Sequence, residues 1–175
     1  MQREMILVPY DSKWANQFEQ IKNRLSVVFG ELALDIQHFG STSIIGMSAK
    51  PIIDVMVIVK DITQVDGLNN KMREFGYIAK GENGVTGRRY YQMFALDGIN
   101  HTQHIHCYEK ENPHAIDELM FRDYLRVDRI SFNEYQNIKK EAAEKYRFSP
   151  QEYTDYKLEC VERIMKKAKT YYFGK

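Results

Sequence analysis

The stretch His38-Phe-Gly-Ser-Thr-Ser-Ile-Ile-Gly-Met-Ser-Ala-Lys-Pro-Ile-Ile-Asp54 decides the fold. It reads as a strand that ends in Gly40-Ser41, a short helical turn, and a second strand with one carboxylate inside an apolar run. Gly40 lets a backbone approach a ligand closely. The Ser41 and Thr42 hydroxyls, with the N–H groups that open a helical turn, form an anion-binding pocket. Asp54 on the adjoining strand falls within reach of that pocket, and a charge in a central strand is costly unless paired or metal-bound. The plainer alternative is a helix cap at Ser41 or Thr42 and an ion pair from Asp54 to Lys50 or an arginine.

Upstream, Asp11 or Ser12 is placed to cap a helix whose stripe is Trp14, Phe18, Ile21, Leu25 and Val28, closed by Gly30. Residues 33–39 alternate as a strand, with Leu34, Ile36 and His38 on one face. Downstream, 51–59 is a β-branched run of the kind buried on both faces. Val65, Leu68, Met72 and Phe75 predict a helix over 63–75, stopped by Gly76. Strands follow over 77–80, 88–96 and 101–108, the last two joined by a hairpin signal at Asp97-Gly98. From Asn112-Pro113 onward the pattern is helical. Ser131 with Glu134, and Ser149-Pro150 with Glu152, read as capping boxes that open successive helices. A sheet with inserted helices, then three packed helices, predicts an α+β fold with a mixed sheet and not a doubly wound parallel one. The expected organisation is one domain over 1–175, with its sheet part over about 1–110 and its helical part over about 111–175.

The bulk numbers exclude more than they assign. A net charge of +1 offers no global field for nucleic acid or an anionic membrane, so neither is an expected partner. Cys107 and Cys160 lie far apart in no metal or redox spacing and read as reduced. The opening residues are too mixed for a signal sequence. The run 52–59 is interrupted by Asp54 and is far shorter than the ~18 residues of a membrane span. The expected compartment is the cytoplasm.

His104 and His106 alternate with Ile105 and Cys107, so both imidazoles face one way. With Asp54, and with His38 as a further candidate, they offer a ligand set that suits Zn, Ni, Fe or Mn better than Mg. The alternative is a pair of hydrogen-bonded structural or ligand-contacting histidines. Arg88-Arg89 follows a loop with three glycines, Gly81, Gly84 and Gly87, and suits phosphate or carboxylate capture. Only one of the two can point into a site, and the alternative is a solvated strand edge. Lys50 carries the same two readings. Arg122 and Arg126 share a helix face, while Lys139 and Lys157 fall on the next two helices; alone, each reads as a surface charge.

Gly40-Ser41, a twelve-residue gap and Asp54 in an apolar strand match the signature of the nucleotidyltransferase superfamily, which includes polymerase-β-like enzymes. More closely, the chain resembles the GrpB family. The resemblance runs through Val8-Pro-Tyr-Asp11, Trp14, the Gly-Ser-Thr segment, Ala49-Lys-Pro-Ile-Ile-Asp54, Gly87-Arg-Arg89, His104-Ile-His106 and Phe121-Arg-Asp-Tyr-Leu-Arg126 to Lys139 and Lys157. A related domain is fused to some bacterial dephospho-CoA kinases. The resemblance implies a nucleotidyltransferase-like fold and, from the superfamily, two-metal nucleotidyl transfer. Gly40-Ser41 would hold the β- and γ-phosphates, and strand carboxylates would hold Mg²⁺. It also implies that Arg122, Lys139 and Lys157 lean over the site.

The chain departs from the superfamily pattern where a second carboxylate is expected two residues after Asp54. Met56 stands there, on the same strand face. The third carboxylate also lacks a candidate, and His104 and His106 are the polar residues nearest its place. The resulting expectation is a cleft of Gly40, Ser41, Thr42, Lys50, Asp54, Arg88 or Arg89, His104 and His106 that binds a nucleotide or another phosphorylated small molecule. Its expected cofactor is a divalent metal, Mg or a transition ion, on Asp54. The alternative expectation is an interaction or folding-assistance module that keeps the fold without the chemistry.

Overall fold

The computed structural model describes residues 4–174. Helix α1, Lys13–Phe29, forms where the apolar stripe has helical spacing, and it buries the whole stripe from Trp14 to Val28. Asp11 Oδ1 accepts the Lys13 N–H at its start, and Gly30 ends it at φ +51°. Strand β1, Ala33–Phe39, follows; its Leu34 is exposed, next to a register irregularity between Ala33 and Asp35. After a 3₁₀ turn at Ser41–Ser43, strand β2, Ile53–Val59, runs antiparallel to β1. It begins after Pro51, whose ring nitrogen cannot donate to a ladder.

The expected helix over 63–75 is instead a 3₁₀ segment, Ile62–Leu68, followed by a short helix α2, Asn69–Glu74. Asp61 caps the first turn by accepting the Thr63 N–H, Gly67 weakens regular helix in the middle, and Phe75 stays 40 % exposed. Strands β3 (Ile78–Ala79), β4 (Arg89–Phe94) and β5 (His101–Glu109) complete the sheet. The Asp97-Gly98 turn is wider than a two-residue hairpin. The Asp97 carboxylate accepts the N–H groups of Ile99 and Asn100 and organises the connection itself.

Helices α3 (Pro113–Val127), α4 (Arg129–Lys145), α5 (Pro150–Tyr156) and α6 (Leu158–Phe173) follow. The expected three helices are therefore four segments, because the last is interrupted at Lys157. The Ser131 capping box is also corrected. Asp128 caps α4 by accepting the Ser131 N–H, Ser131 is buried, and Glu134 pairs with Arg163 and Lys167 of α6. Ser149 stands at the N-cap of α5 without a side-chain cap bond, with Pro150 as the first helical residue.

The sheet order is β1-β2-β5-β4-β3, with β2 and β5 parallel and every other pair antiparallel. The fold is α+β with a mixed sheet. Because β2 lies inside the sheet and both faces are covered, its apolar residues are buried on both sides, as its β-branched run requires. Helix α1 covers Val55, Val57, Ile105 and Cys107 on one face. Ala115 and Leu119 of α3 pack with Phe39, Met56, Ile58 and Tyr108 on the other. Helices α3, α4 and α6 share a further core with Ile44 and Met47 of the β1–β2 connection. Among the described residues no helix is long and apolar enough to cross a membrane.

Gly40 has φ +68° and ψ −175°, a region open to glycine almost alone, and a Cβ there would collide with the Asp54 carboxylate. Gly40→Ala is expected to lower stability by about 1–3 kcal/mol from backbone strain, plus the displacement of Asp54. Gly98→Ala, at φ +66° with nothing near its added Cβ, carries the backbone cost alone. Urea unfolding of both variants gives the difference, and equal losses would mean that Gly40 does not need to make room for Asp54.

Candidate functional site

Parallel pairing sets Asp54 opposite His104 and Met56 opposite His106, while β1 brings Phe39 opposite Asp54 and β4 brings Tyr90 opposite His106. Asp54 Oδ1 lies 3.1 Å from His104 Nδ1, and His104 Nε2 lies 2.8 Å from His101 Nδ1. Burial alone would raise the Asp54 carboxyl. The hydrogen bond with His104, then the charges of His104, His106 and Lys50, outweigh burial and hold it below the usual carboxylate range. His106 stands edge-on to Phe39 and Tyr90, and burial pulls its imidazole down to about 3. Among the described residues its buried Nδ1 has no hydrogen-bond partner.

Ligand atoms of Asp54, His104 and His106 lie within 4.8 Å of one another. This set fits one divalent ion of the borderline kind, since neutral imidazole and carboxylate suit Zn, Fe, Ni or Mn. It does not fit the two-Mg²⁺ arrangement. Met56 is fully buried beside Phe39, Ile58, Tyr108 and Ala115, so the second carboxylate's place is filled by core.

Next to the triad is a cavity of about 210 Å³ that contains Gly40, Ser41, Thr42, Lys50, Asp54, His104, Lys139 and Lys157 on its walls. The three lysines come from the β1–β2 connection, α4 and the α5–α6 junction. The Lys50 and Lys157 ammonium groups stand 5.0 and 4.1 Å from the Tyr153 ring centre, and Lys139 stands 5.1 Å from that of Tyr135. Lys139 is 2 % exposed and donates to Ser48 O at 2.6 Å. Burial pulls Lys139 down to about 7, and the charges of Lys157, Lys50 and Lys140 add to this. Burial, then Lys50, takes Lys157 to about 8, against the pull of Asp54.

Other expected residues have different placements. The Thr42 hydroxyl is committed to Ile52 O at 3.1 Å and meets His38 Nε2 at 3.0 Å. His38 is not a ligand with Asp54, because it faces α1 and stacks on Phe18 at 4.9 Å. Arg89 also leaves the site: strand alternation turns it toward Asp66, which it grips with two bonds of 2.7 and 2.9 Å. Arg88 is on the site side, over the Tyr90 ring, but donates to the Glu82 and Asn83 carbonyls of the glycine-rich loop. Neither arginine lines the lysine cavity. Arg122 is buried, with its guanidinium taken by Asp123, Gln37 and His38 O, so it ties α3 to β1.

Two participants, Tyr135 and Glu118, were missed. Tyr135 and Tyr153 form cavity walls, and Glu118 of α3 approaches the charges of Asp54 and Arg88. The sequence signal for Glu118 is a carboxylate on the inward stripe Ala115, Glu118, Leu119, Arg122.

Residues 4–167 match the family model described as GrpB protein. The chain belongs to the GrpB family. The UPF0157 protein YqkA of Bacillus subtilis is 40% identical over 173 residues, which is 99% of this chain and 50% of YqkA. The chain thus spans about half the length of that relative. The crystal structure of GrpB from Enterococcus faecalis superposes with a TM-score of 0.89 at 35% identity, covering 96% of this chain and 99% of that one. A dephospho-CoA kinase of Mycobacterium tuberculosis shares 38% identity over 74 residues, 41% of this chain and 18% of the kinase. Outside the family, Cid1 in complex with its short product ApU superposes with a TM-score of 0.52 at 13% identity, over 77% of this chain and 42% of Cid1. That likeness is one of fold.

The depressed lysines give a stability test. The unfolded chain binds more protons than the fold from the folded values of about 7 and 8 up to the ordinary lysine value of 10.5, so stability rises with pH across that range and is lost as pH falls back through it. The melting temperature of the protein in anion-free buffer is expected to rise from about pH 7 to about pH 8. The rise should shrink in Lys139→Met. An unchanged slope in that variant would show that Lys139 is as well solvated as a surface lysine.

Proposed function

We propose that the protein binds a nucleotide, or another phosphorylated small molecule, in the cleft between the sheet and the helical layer. The phosphates face Lys50, Lys139 and Lys157, and a divalent ion sits on Asp54, His104 and His106. The observation that carries this reading is the convergence of three lysines from distant parts of the chain on one cavity that also holds Asp54. Like charges held together lower each other's proton affinity, and an oxyanion among them reverses that effect. Gly40 lacks a Cβ where the Asp54 carboxylate stands, so the backbone of the Gly40-Ser41 turn lies directly against the candidate ion ligand. A metal there would neutralise phosphate charge, while the lysines and Ser41 orient the anion. The fold neighbour Cid1 was solved with the dinucleotide ApU, which supports nucleotide as the ligand class.

One observation favours a second reading. The second carboxylate position of the superfamily is occupied by the buried Met56, as suits an interaction module that keeps the fold without transfer.

Calorimetric titration with ATP, UTP and pyrophosphate, each with and without Mn²⁺, separates the two. Binding is expected to strengthen with Mn²⁺. Asp54→Asn should remove that dependence, and Lys157→Gln should weaken binding by about tenfold to a hundredfold, as for loss of a hydrogen bond from a charged group. If none of the three ligands binds with or without metal, the interaction reading stands instead.

A further inference from the structure

Across Gly40, Ser41 and Tyr135 from the lysine cavity lies a second cavity of about 380 Å³, which shares those three residues with the first. Its size falls in the range of small-molecule sites. Phe39, Phe121 and Tyr135 give it aromatic walls, and aliphatic side chains of α6 close it. The charged groups on its walls are Asp117, Glu118, Glu162 and Arg122. Arg122 is largely committed within the protein, since Asp123, Gln37 and His38 O accept from all three of its nitrogens. Asp117 carries Lys169 at 2.9 Å.

Glu118 is different. Among the described residues it forms no ion pair, and its Oε2 is buried without a hydrogen-bond partner. Glu118 lines the cavity, and an unpartnered buried oxygen on its carboxyl costs free energy. Burial pushes the Glu118 carboxyl up to about 7; Arg88 opposes the shift and Asp54 adds to it. Glu162 on the rim likewise has no ion pair among the described residues. One half of the cleft is thus basic and polar, and the other is acidic and aromatic.

We propose that the second cavity binds an organic cation with an aromatic or branched apolar body, its ammonium group against Glu118. The charge supplies the partner that Glu118 lacks, aromatic faces favour a cation, and the apolar body covers walls otherwise left to water. The cation is then the second ligand of the cleft, beside the phosphorylated one. That role rests on the reading above, whereas its binding does not.

The test therefore uses protein without nucleotide or metal. Benzylamine and its uncharged counterpart benzyl alcohol are titrated while the methyl resonances of Ile44 and Met165, both on the cavity wall, are followed. Benzylamine is expected to shift both resonances saturably, with about tenfold higher affinity than the alcohol. Glu118→Gln should bring the two affinities together while the remaining methyl spectrum keeps its native dispersion. Val161→Phe, which narrows the cavity from α6 and leaves Glu118 in place, should abolish both shifts, and it decides the matter if Glu118→Gln does not fold. Equal affinities in the unmodified protein, a preference for the amine that survives Glu118→Gln, or shifts that persist in Val161→Phe would each overturn the proposal. Failure of pyrophosphate to bind would leave this result untouched and would count only against the phosphorylated ligand.

Discussion

The contact between Asp54 and His104, 3.1 Å long across the parallel β2–β5 pair, is what the rest of the cleft depends on. A carboxylate near the start of an apolar strand inside the sheet has to be neutralised or paired. The parallel register supplies the partner directly opposite, and His101 holds the far side of the His104 ring. Gly40 lacks a Cβ because the Asp54 carboxylate occupies that space. Met56, two residues on, points to the same face but into apolar core, so the polar part of the strand ends at one position. The geometry can therefore hold one ion among mixed ligands and has no place for a pair of ions between carboxylates.

The sequence was most legible where period and chemistry agreed. The stripe of α1, the doubly buried β2 and the alternation of His104 with His106 all follow from residue spacing, and their placement matches it. Boundaries failed where a side chain took over the role of a backbone bond. Asp61, Asp97 and Asp128 each accept backbone N–H groups and so set the starts of a 3₁₀ segment, a connection and α4. A capping-box pattern at Ser131 could not compete with an aspartate three residues earlier.

At the candidate site, local motifs were readable and long-range convergence was not. Arg88 and Arg89 were equivalent as letters; only Asp66, more than twenty positions away in the chain, shows that Arg89 serves the other face. Lys139 and Lys157 read as surface charges on amphipathic helices, yet folding brings both against aromatic rings under Lys50. Glu118 was concealed by the same ambiguity in reverse, since one carboxylate on an apolar stripe resembles an ordinary irregularity in a helix.

The bond from Lys139 to Ser48 has a mechanical consequence. Ser48 is held twice by α4, through its carbonyl by Lys139 and through its N–H by Gln136, and Arg126 of α3 holds Ser43 O in the same connection. The segment that carries Gly40 and Ser41 is thus fastened to the helical layer at both of its bends. An ammonium group has three donors, and Ser48 uses one. An oxyanion that engages the others would load the same fastening instead of releasing it. Occupancy of the cavity would stiffen the joint between sheet and helices.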